Sequence, residues 1–187
     1  MLDTFAWFWG NLHQRWRAAV EEVYGLDAAL TSAVDLLQGL AKMVRMEVLN
    51  IPGVTDGLDN DYAAQAEGAL EALKEYDLVV IHVEAPDEAA HAGAIDNKIE
   101  AIQEVDRKIV SRIRQWDKDA IRVLIMPDHA TPIEAQTHTD EPIPFMLWGK
   151  GFKANGAKRF TEAEAKGTGV FIEEGCNIMA RLVSREI

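Results

Sequence analysis

This 187-residue chain has little cysteine, no long apolar run and no excess of positive charge. Its single cysteine, Cys176, cannot form a disulfide within the chain, and its helix-like neighbours predict a small, buried hydrophobic residue. No stretch approaches the roughly 18 to 20 apolar residues that cross a bilayer. The apolar start, Phe5 to Trp9, has no preceding positive region and is too short for a signal peptide. We therefore expect a cytoplasmic protein.

Basic residues are outnumbered by acidic ones. Lys and Arg total 19 and Asp and Glu total 31, which gives a formal net charge of −12. Such a balance argues against binding to nucleic acid or to an anionic membrane, and an anionic ligand would need a local cation. The hydrophobic fraction of 48% and the charged fraction of 27% are ordinary for a globular protein. No feature of the sequence specifies an oligomeric state.

Hydrophobic spacing predicts alternating helices and strands. The predicted helices cover 12–24, 31–41, 61–74, 98–116 and 173–183, and the predicted strands cover 46–51, 77–83, 120–126 and 142–148. The nearly continuous β-branched run of the strand 77–83 is typical of a central strand that is buried on both faces. This order of elements indicates an α/β sandwich with a largely parallel sheet.

Four of the five histidines fall between residues 82 and 138, among many acidic residues. Asp87 and Asp128 each follow the carboxyl end of a predicted buried strand, which is where open α/β sheets bind their ligands. If a helix begins after Pro86, Asp87 and His91 lie on one face and can hold one ion. An alternative for this pair is a capping aspartate with an exposed histidine above it.

Asp128 and His129 are adjacent, so in an extended segment their side chains point to opposite sides and favour two neighbouring ions. His138 follows a short loop that could fold it back over the same edge of the sheet. Together with Asp87 and His91, these oxygen and nitrogen donors suit Mn²⁺, Zn²⁺, Co²⁺ or Mg²⁺. Two such ions a few ångströms apart are a common device for phosphoryl transfer.

Three further polar residues of the same region are not predicted to bind metal. His82 lies inside a predicted buried strand, where a histidine is more often hydrogen-bonded in the core or supports a ligand. Glu84 and Glu88 are predicted to support the ligands or to lie on the surface.

Taken in order, these motifs resemble the cofactor-independent phosphoglycerate mutases of archaeal type, which belong to the alkaline phosphatase superfamily. The likeness is carried by the segments 82–93, 98–106, 127–132 and 137–139, and it extends over nearly the whole chain. The resemblance implies an alkaline phosphatase-like three-layer sandwich with a mostly parallel sheet, here truncated at its N-terminus. Residues 1–187 would then be the C-terminal part of the metal-binding domain, without the inserted substrate domain.

The resemblance also implies two divalent metal ions and no bisphosphoglycerate cofactor. The first ion would be held by Asp87, His91 and His138. The second would be held by Asp128 and His129, together with an aspartate and a nucleophilic serine that have no counterpart in this chain. Ser32, Ser111 and Ser184 lie in helix-patterned segments, and none is assigned as the nucleophile.

The implied activity of the full-length protein is the interconversion of 3-phosphoglycerate and 2-phosphoglycerate through a phosphoserine intermediate. We expect the 187-residue chain alone to be inactive. One alternative is a metal-dependent phosphatase or a homoserine kinase-like phosphotransferase of the same superfamily. An alternative of another class is a non-catalytic metal-binding fragment or subunit.

Two positions depart from the family pattern. Arg45 stands before the strand 46–51 where the family tends to have glycine, and Gln136 stands shortly before His138 where it tends to have a basic residue. Neither is a proposed ligand, but Gln136 bears on the choice of substrate.

Overall fold

The computed structural model describes residues 19–116 and 120–184, and the chain divides into two compact units, Met1–Glu84 and Ala85–Ile187. Of the predicted helix 12–24, the part before residue 19 lies outside the described residues. The remainder forms α1, Val20–Tyr24. Gly25 ends this helix in the left-handed conformation (φ 68°), as expected for a glycine at this position.

The first unit contains a three-stranded parallel sheet with the strand order β2-β1-β3. After α1 its elements are β1 (Ala28–Thr31), α2 (Asp35–Met43), β2 (Glu47–Val48), α3 (Tyr62–Ala72) and β3 (Leu78–Ile81). Asp61 caps α3 by accepting a hydrogen bond from the Ala64 amide at 3.0 Å. The parallel sheet and the helix 61–74 are thus confirmed.

Strand β1 is the central strand of this sheet, and sequence analysis missed it. All four of its residues are buried, and the predicted helix 31–41 is wrong over its first four residues. In the described sheet β3 pairs with β1 alone, and Val80 is 38% exposed, so the prediction of a central strand at 77–83 is also wrong. The alanines of β1 have low intrinsic strand preference, and their burial between two partners decides their conformation.

A buried amide connects both longer strands of this sheet to α3. The Gln65 side chain is fully buried, and its Nε2 donates to the His82 carbonyl at 2.9 Å and to Thr31 Oγ1 at 3.4 Å. Its Oε1 accepts from Asn60 Nδ2 at 2.9 Å. Because each of these polar groups has a hydrogen-bond partner, their burial does not carry the free-energy cost of an unsatisfied polar group.

The second unit carries a two-stranded antiparallel sheet. Its elements are α4 (Ala85–His91), α5 (Ile95–Glu104), a π-helical segment (Val105–Val110), α6 (Ser111–Ile113), β4 (Arg122–Ile125), β5 (Met146–Gly149), α7 (Glu162–Gly167), a 3-10 turn (Gly175–Asn177) and α8 (Ile178–Ser184). The predicted strands 120–126 and 142–148 are present, but they pair antiparallel. Helix α7 was not predicted.

The side chain of Arg122, on β4, contacts the last turn of α8. Arg122 Nη1 donates to the carbonyls of Leu182 and Val183 at 2.5 and 2.6 Å, so a cation satisfies the last turn of the helix. Cys176 lies in the preceding turn and is exposed, so the prediction of a buried cysteine is wrong. Among the described residues, no helix combines the length and apolarity needed to cross a membrane.

The two departures from the family pattern share an unusual backbone conformation. Within the described ranges, Arg45 (φ 60°) and Gln136 (φ 52°) are the residues other than glycine with positive φ. A glycine would adopt this conformation at either position without steric cost.

Candidate metal centre

Helix α4 places Asp87 and His91 one turn apart on the same face. Asp87 lies in the first turn behind Pro86, a position where proline is tolerated. His91 Nε2 is 3.2 Å from Asp87 Oδ2. Gly93 (φ 67°) follows the end of the helix in the left-handed conformation. There the amides of Gly93 and Ala94 donate to the carbonyls of Ala90 and Ala89 at 3.0 and 2.8 Å. The expected helix after Pro86 is therefore present.

His138 reaches this pair because the preceding loop folds back on itself. Ala130 and Thr139 form an isolated antiparallel bridge, in which the Thr139 amide donates to the Ala130 carbonyl at 3.0 Å. His138 Nε2 then lies 3.1 Å from His91 Nε2 and 3.8 Å from Asp87 Oδ1. We call Asp87, His91 and His138 the Asp87 cluster; one ligand atom from each lies within 4.8 Å of the others.

The separations in the Asp87 cluster fit a single metal ion. Two ligand atoms that are each about 2.1 Å from a shared ion lie about 3.0 to 3.4 Å apart at octahedral or tetrahedral angles. The two Nε2 atoms are 3.1 Å apart, and they lie 3.2 and 3.8 Å from Oδ2 and Oδ1 of Asp87, respectively, which is close to this range. One carboxylate and two imidazoles form a donor set that suits Zn²⁺, Mn²⁺ or a similar divalent ion.

The orientation of His91 is fixed by the backbone of Gln136. Its Nδ1 lies 2.9 Å from the Gln136 carbonyl oxygen. Because a carbonyl can only accept, Nδ1 must carry the hydrogen, and a neutral ring then has its free lone pair on Nε2. That lone pair faces Asp87 and His138, so His91 is oriented to offer an electron pair to an ion between these residues.

Asp128 and His129, which we call the Asp128 pair, follow β4 in the same unit. Their side chains do not point apart as predicted, because His129 Nε2 lies 3.3 Å from Asp128 Oδ2. Asp128 turns back on itself, and its Oδ1 accepts from the His129 amide at 3.0 Å. The His129 ring stacks on His138 with the ring centroids 3.7 Å apart, so the pair adjoins the Asp87 cluster.

Two residues that sequence analysis did not assign to the site hold it together. Gln136 was noted there only as a departure from the family, although its carbonyl orients His91. Thr131 is buried, and its hydroxyl contacts Asp87 Oδ1 at 2.5 Å and His129 Nδ1 at 3.1 Å. The contact of Gln136 with His91 and that of Thr131 with Asp87 each join residues more than forty positions apart. Spacing along the sequence therefore gives no signal for them.

His82 has the hydrogen-bonded environment that the sequence predicted for it. Its Nδ1 lies 3.0 Å from Ser32 Oγ and its Nε2 lies 3.3 Å from Glu84 Oε2. Ser32 was expected in a helix, but it directly follows β1 and is buried, and its Oγ also accepts from the Val34 amide at 3.1 Å. Glu88 is exposed on α4, as expected for a surface residue.

Comparisons with known proteins identify the superfamily of the chain. Residues 8–177 match the model of the metalloenzyme superfamily. A protein of Methanothrix thermoacetophila named 2,3-bisphosphoglycerate-independent phosphoglycerate mutase is 40% identical over 95% of this chain and 46% of its own length. The chain spans about half the length of the curated relatives it matches.

Solved structures show the same fold. The PH0037 protein from Pyrococcus horikoshii aligns over 91% of this chain and 52% of its own, with a TM-score of 0.80 and 30% identity. A cofactor-independent phosphoglycerate mutase from Thermoplasma acidophilum aligns over 90% of this chain and 39% of its own, with a TM-score of 0.70 and 20% identity. By its match over residues 8–177, the chain belongs to the metalloenzyme superfamily.

Proposed function

We propose that this chain is the metal-binding part of an enzyme that interconverts 3-phosphoglycerate and 2-phosphoglycerate, a step of glycolysis. The observation that carries the proposal is the convergence of Asp87, His91 and His138 within one unit of a metalloenzyme-superfamily chain. The choice of reaction is supported by the Methanothrix relative, which is named a phosphoglycerate mutase. Because the chain spans about half of such relatives, the activity is proposed for the full-length protein.

In this proposal the chain supplies ligands for two divalent ions. The Asp87 cluster holds the first ion by itself. The Asp128 pair supplies two ligands of the second, which an aspartate and a nucleophilic serine outside this chain complete. Manganese is the ion we would test first, since mixed carboxylate and imidazole donors suit it.

The charge of the chain gives these ions a clear task. With a net charge of −12, the protein has to attract a substrate that carries a phosphate and a carboxylate. Bound divalent ions would offset the charge on the transferring phosphoryl oxygens. Asp87, His91 and His138 hold and orient the first ion.

For the cellular location of the protein we propose the cytoplasm, which the single cysteine supports.

The test joins this chain to the part of the Methanothrix thermoacetophila relative that it does not match. We expect the 187-residue chain alone to give no turnover, and the joined protein to convert 3-phosphoglycerate to 2-phosphoglycerate with Mn²⁺. Asp87→Ala should abolish this activity because it removes a ligand of the first ion. Glu88→Ala is the matched control, since it removes the same charge from the exposed neighbouring position. The 3-phosphoglycerate that remains and the 2-phosphoglycerate that forms are quantified by phosphorus NMR.

Two results would contradict the proposal. Release of inorganic phosphate without 2-phosphoglycerate would favour a metal-dependent phosphatase of the same superfamily. Turnover by the isolated chain would show that no serine from outside is required.

A further inference from the structure

We propose that Thr131 is a positioning residue that couples the Asp87 cluster to the Asp128 pair through one hydroxyl group. The hydroxyl orients the Asp87 carboxylate and selects the tautomer of His129, so that both present free electron pairs to metal. The inference rests on the proposed function only in treating Asp87 and His129 as metal ligands.

The hydroxyl of Thr131 has a fixed direction of donation. Thr131 is 6% exposed, and its Oγ1 lies 2.5 Å from Asp87 Oδ1. A carboxylate accepts and a hydroxyl has one hydrogen, so Thr131 donates to Asp87. Such a bond to a charged acceptor is stronger than a bond between neutral groups, and it leaves Oδ2 as the carboxylate oxygen facing His91.

The same hydroxyl then determines where His129 carries its hydrogen. His129 Nδ1 lies 3.1 Å from Thr131 Oγ1. Because the only hydrogen of the hydroxyl is used by Asp87, Thr131 must accept from His129, and Nδ1 is therefore the protonated nitrogen. The lone pair of a neutral His129 ring then lies on Nε2. Nε2 and Asp128 Oδ2, which are 3.3 Å apart, would then both offer electron pairs to an ion.

A lysine from α5 holds the backbone of Thr131 in place. Lys98 Nζ donates to the Thr131 carbonyl oxygen at 2.6 Å. Thr131 is therefore restrained at its carbonyl by Lys98 and at its hydroxyl by Asp87 and His129. Removing the hydroxyl while keeping the shape would free the Asp87 carboxylate to rotate. Asp128 Oδ2, which is 3.3 Å from His129 Nε2, would then favour a hydrogen on Nε2 instead.

The experiment measures the tautomer of His129 in the metal-free chain by ¹⁵N NMR on histidine-labelled protein, with the His129 signal assigned from a His129→Gln variant. We expect the Nδ1-protonated form in the parent chain. Thr131→Val should allow the Nε2-protonated form and weaken Mn²⁺ binding by about 10- to 100-fold. Thr131→Ser retains the hydroxyl and should restore both readouts.

Thr139→Val is the matched control. Thr139 lies across the bridge from Ala130, and its hydroxyl donates to Glu141 at 2.9 Å rather than to a proposed ligand. It should change neither the tautomer nor the metal affinity.

An Nε2-protonated His129 in the parent chain would overturn the inference, whether or not Thr131→Val folds. Unchanged Mn²⁺ affinity in a folded Thr131→Val would overturn it as well. Because the tautomer is read without metal or substrate, this result is separate from the outcome of the mutase assay.

Discussion

The Asp87 cluster and the Asp128 pair adjoin each other, yet they differ in how their donors are brought together. The cluster joins a helix to a loop more than forty residues later, and its three donors converge on one point. The side chain of Asp87 is 20% exposed, whereas that of Asp128 is 69% exposed and bends back to its neighbour's amide. Tertiary contacts thus bring three donors together in the Asp87 cluster, whereas the Asp128 pair consists of two donors that are adjacent in sequence.

The largest expected effect separates these two groups directly. His138→Ala removes one of the three donors of the Asp87 cluster, so we expect Mn²⁺ affinity to fall by about 100-fold or more, since even indirect partners of ligands contribute about 10- to 100-fold. Isothermal titration calorimetry on the 187-residue chain measures this. Asp128→Ala is the comparison, and it should leave the affinity of the first ion nearly unchanged. Equal losses in the two variants would mean that both groups hold the same ion.

A smaller effect tests how the loop orients His91. A Cβ at Gly93 would lie 2.2 Å from Gln136 Nε2, the end of an exposed and flexible side chain, so Gly93→Ala must move this amide, while the carbonyl that holds His91 can stay in place. We therefore expect the Mn²⁺ affinity of Gly93→Ala to stay close to that of the parent chain. Gly169→Ala is the control, because Gly169 has a similar positive φ (71°) but open space around it. Both variants should lose stability from the strained φ. A much larger loss of affinity in Gly93→Ala than in Gly169→Ala would show that the side chain of Gln136, and not its carbonyl alone, holds His91.

The smallest effect concerns Glu104, at the end of α5, and the ion pairs that it forms with Arg107 and Lys108 of the π-helical segment. None of these residues belongs to the Asp87 cluster or the Asp128 pair. A hydrogen bond from Lys108, followed by the positive charges of Arg107 and Lys108, lowers the pKa of Glu104. Its ionised form therefore stabilises the fold fully above the unfolded-state pKa of about 4.3, and this contribution is lost as the pH falls through the lower folded-state pKa.

Glu104→Gln should thus lower the Tm by about 2 °C at most at neutral pH, and this difference should vanish in acid below the folded-state pKa. Thermal unfolding followed by circular dichroism measures both values. Its Mn²⁺ affinity should equal that of the parent chain, and a loss of binding would show that the metal titrations report general stability rather than the two groups of donors.

Much of the fold follows from the hydrophobic pattern, and the exceptions have physical causes. The apolar spacing of residues 61–74 and 98–116 predicts helices, and Tyr62–Ala72 and Ile95–Glu104 are helical. Two of the four residues of β1 are alanine, which has no local preference for a strand, so the place of β1 between β2 and β3 depends on tertiary contacts. The antiparallel pairing of β4 and β5 likewise depends on contacts that spacing does not encode.

The site was predictable where local spacing determines geometry. Asp87 and His91 are four positions apart, and a helix brings them to one face. The approach of His138 depends on the bridge between Ala130 and Thr139, and the sequence indicated only that the loop was able to fold back. Thr131 contacts Asp87 across 44 positions, so no local pattern identifies it.

The central claim is that three donors of this chain converge on one divalent ion. Anomalous diffraction at the manganese edge, on crystals of the 187-residue chain grown with Mn²⁺, tests it most directly. We predict one strong peak bounded by the Asp87 carboxylate and the Nε2 atoms of His91 and His138. Absence of that peak, or a peak at Asp128 and His129 alone, would contradict the account.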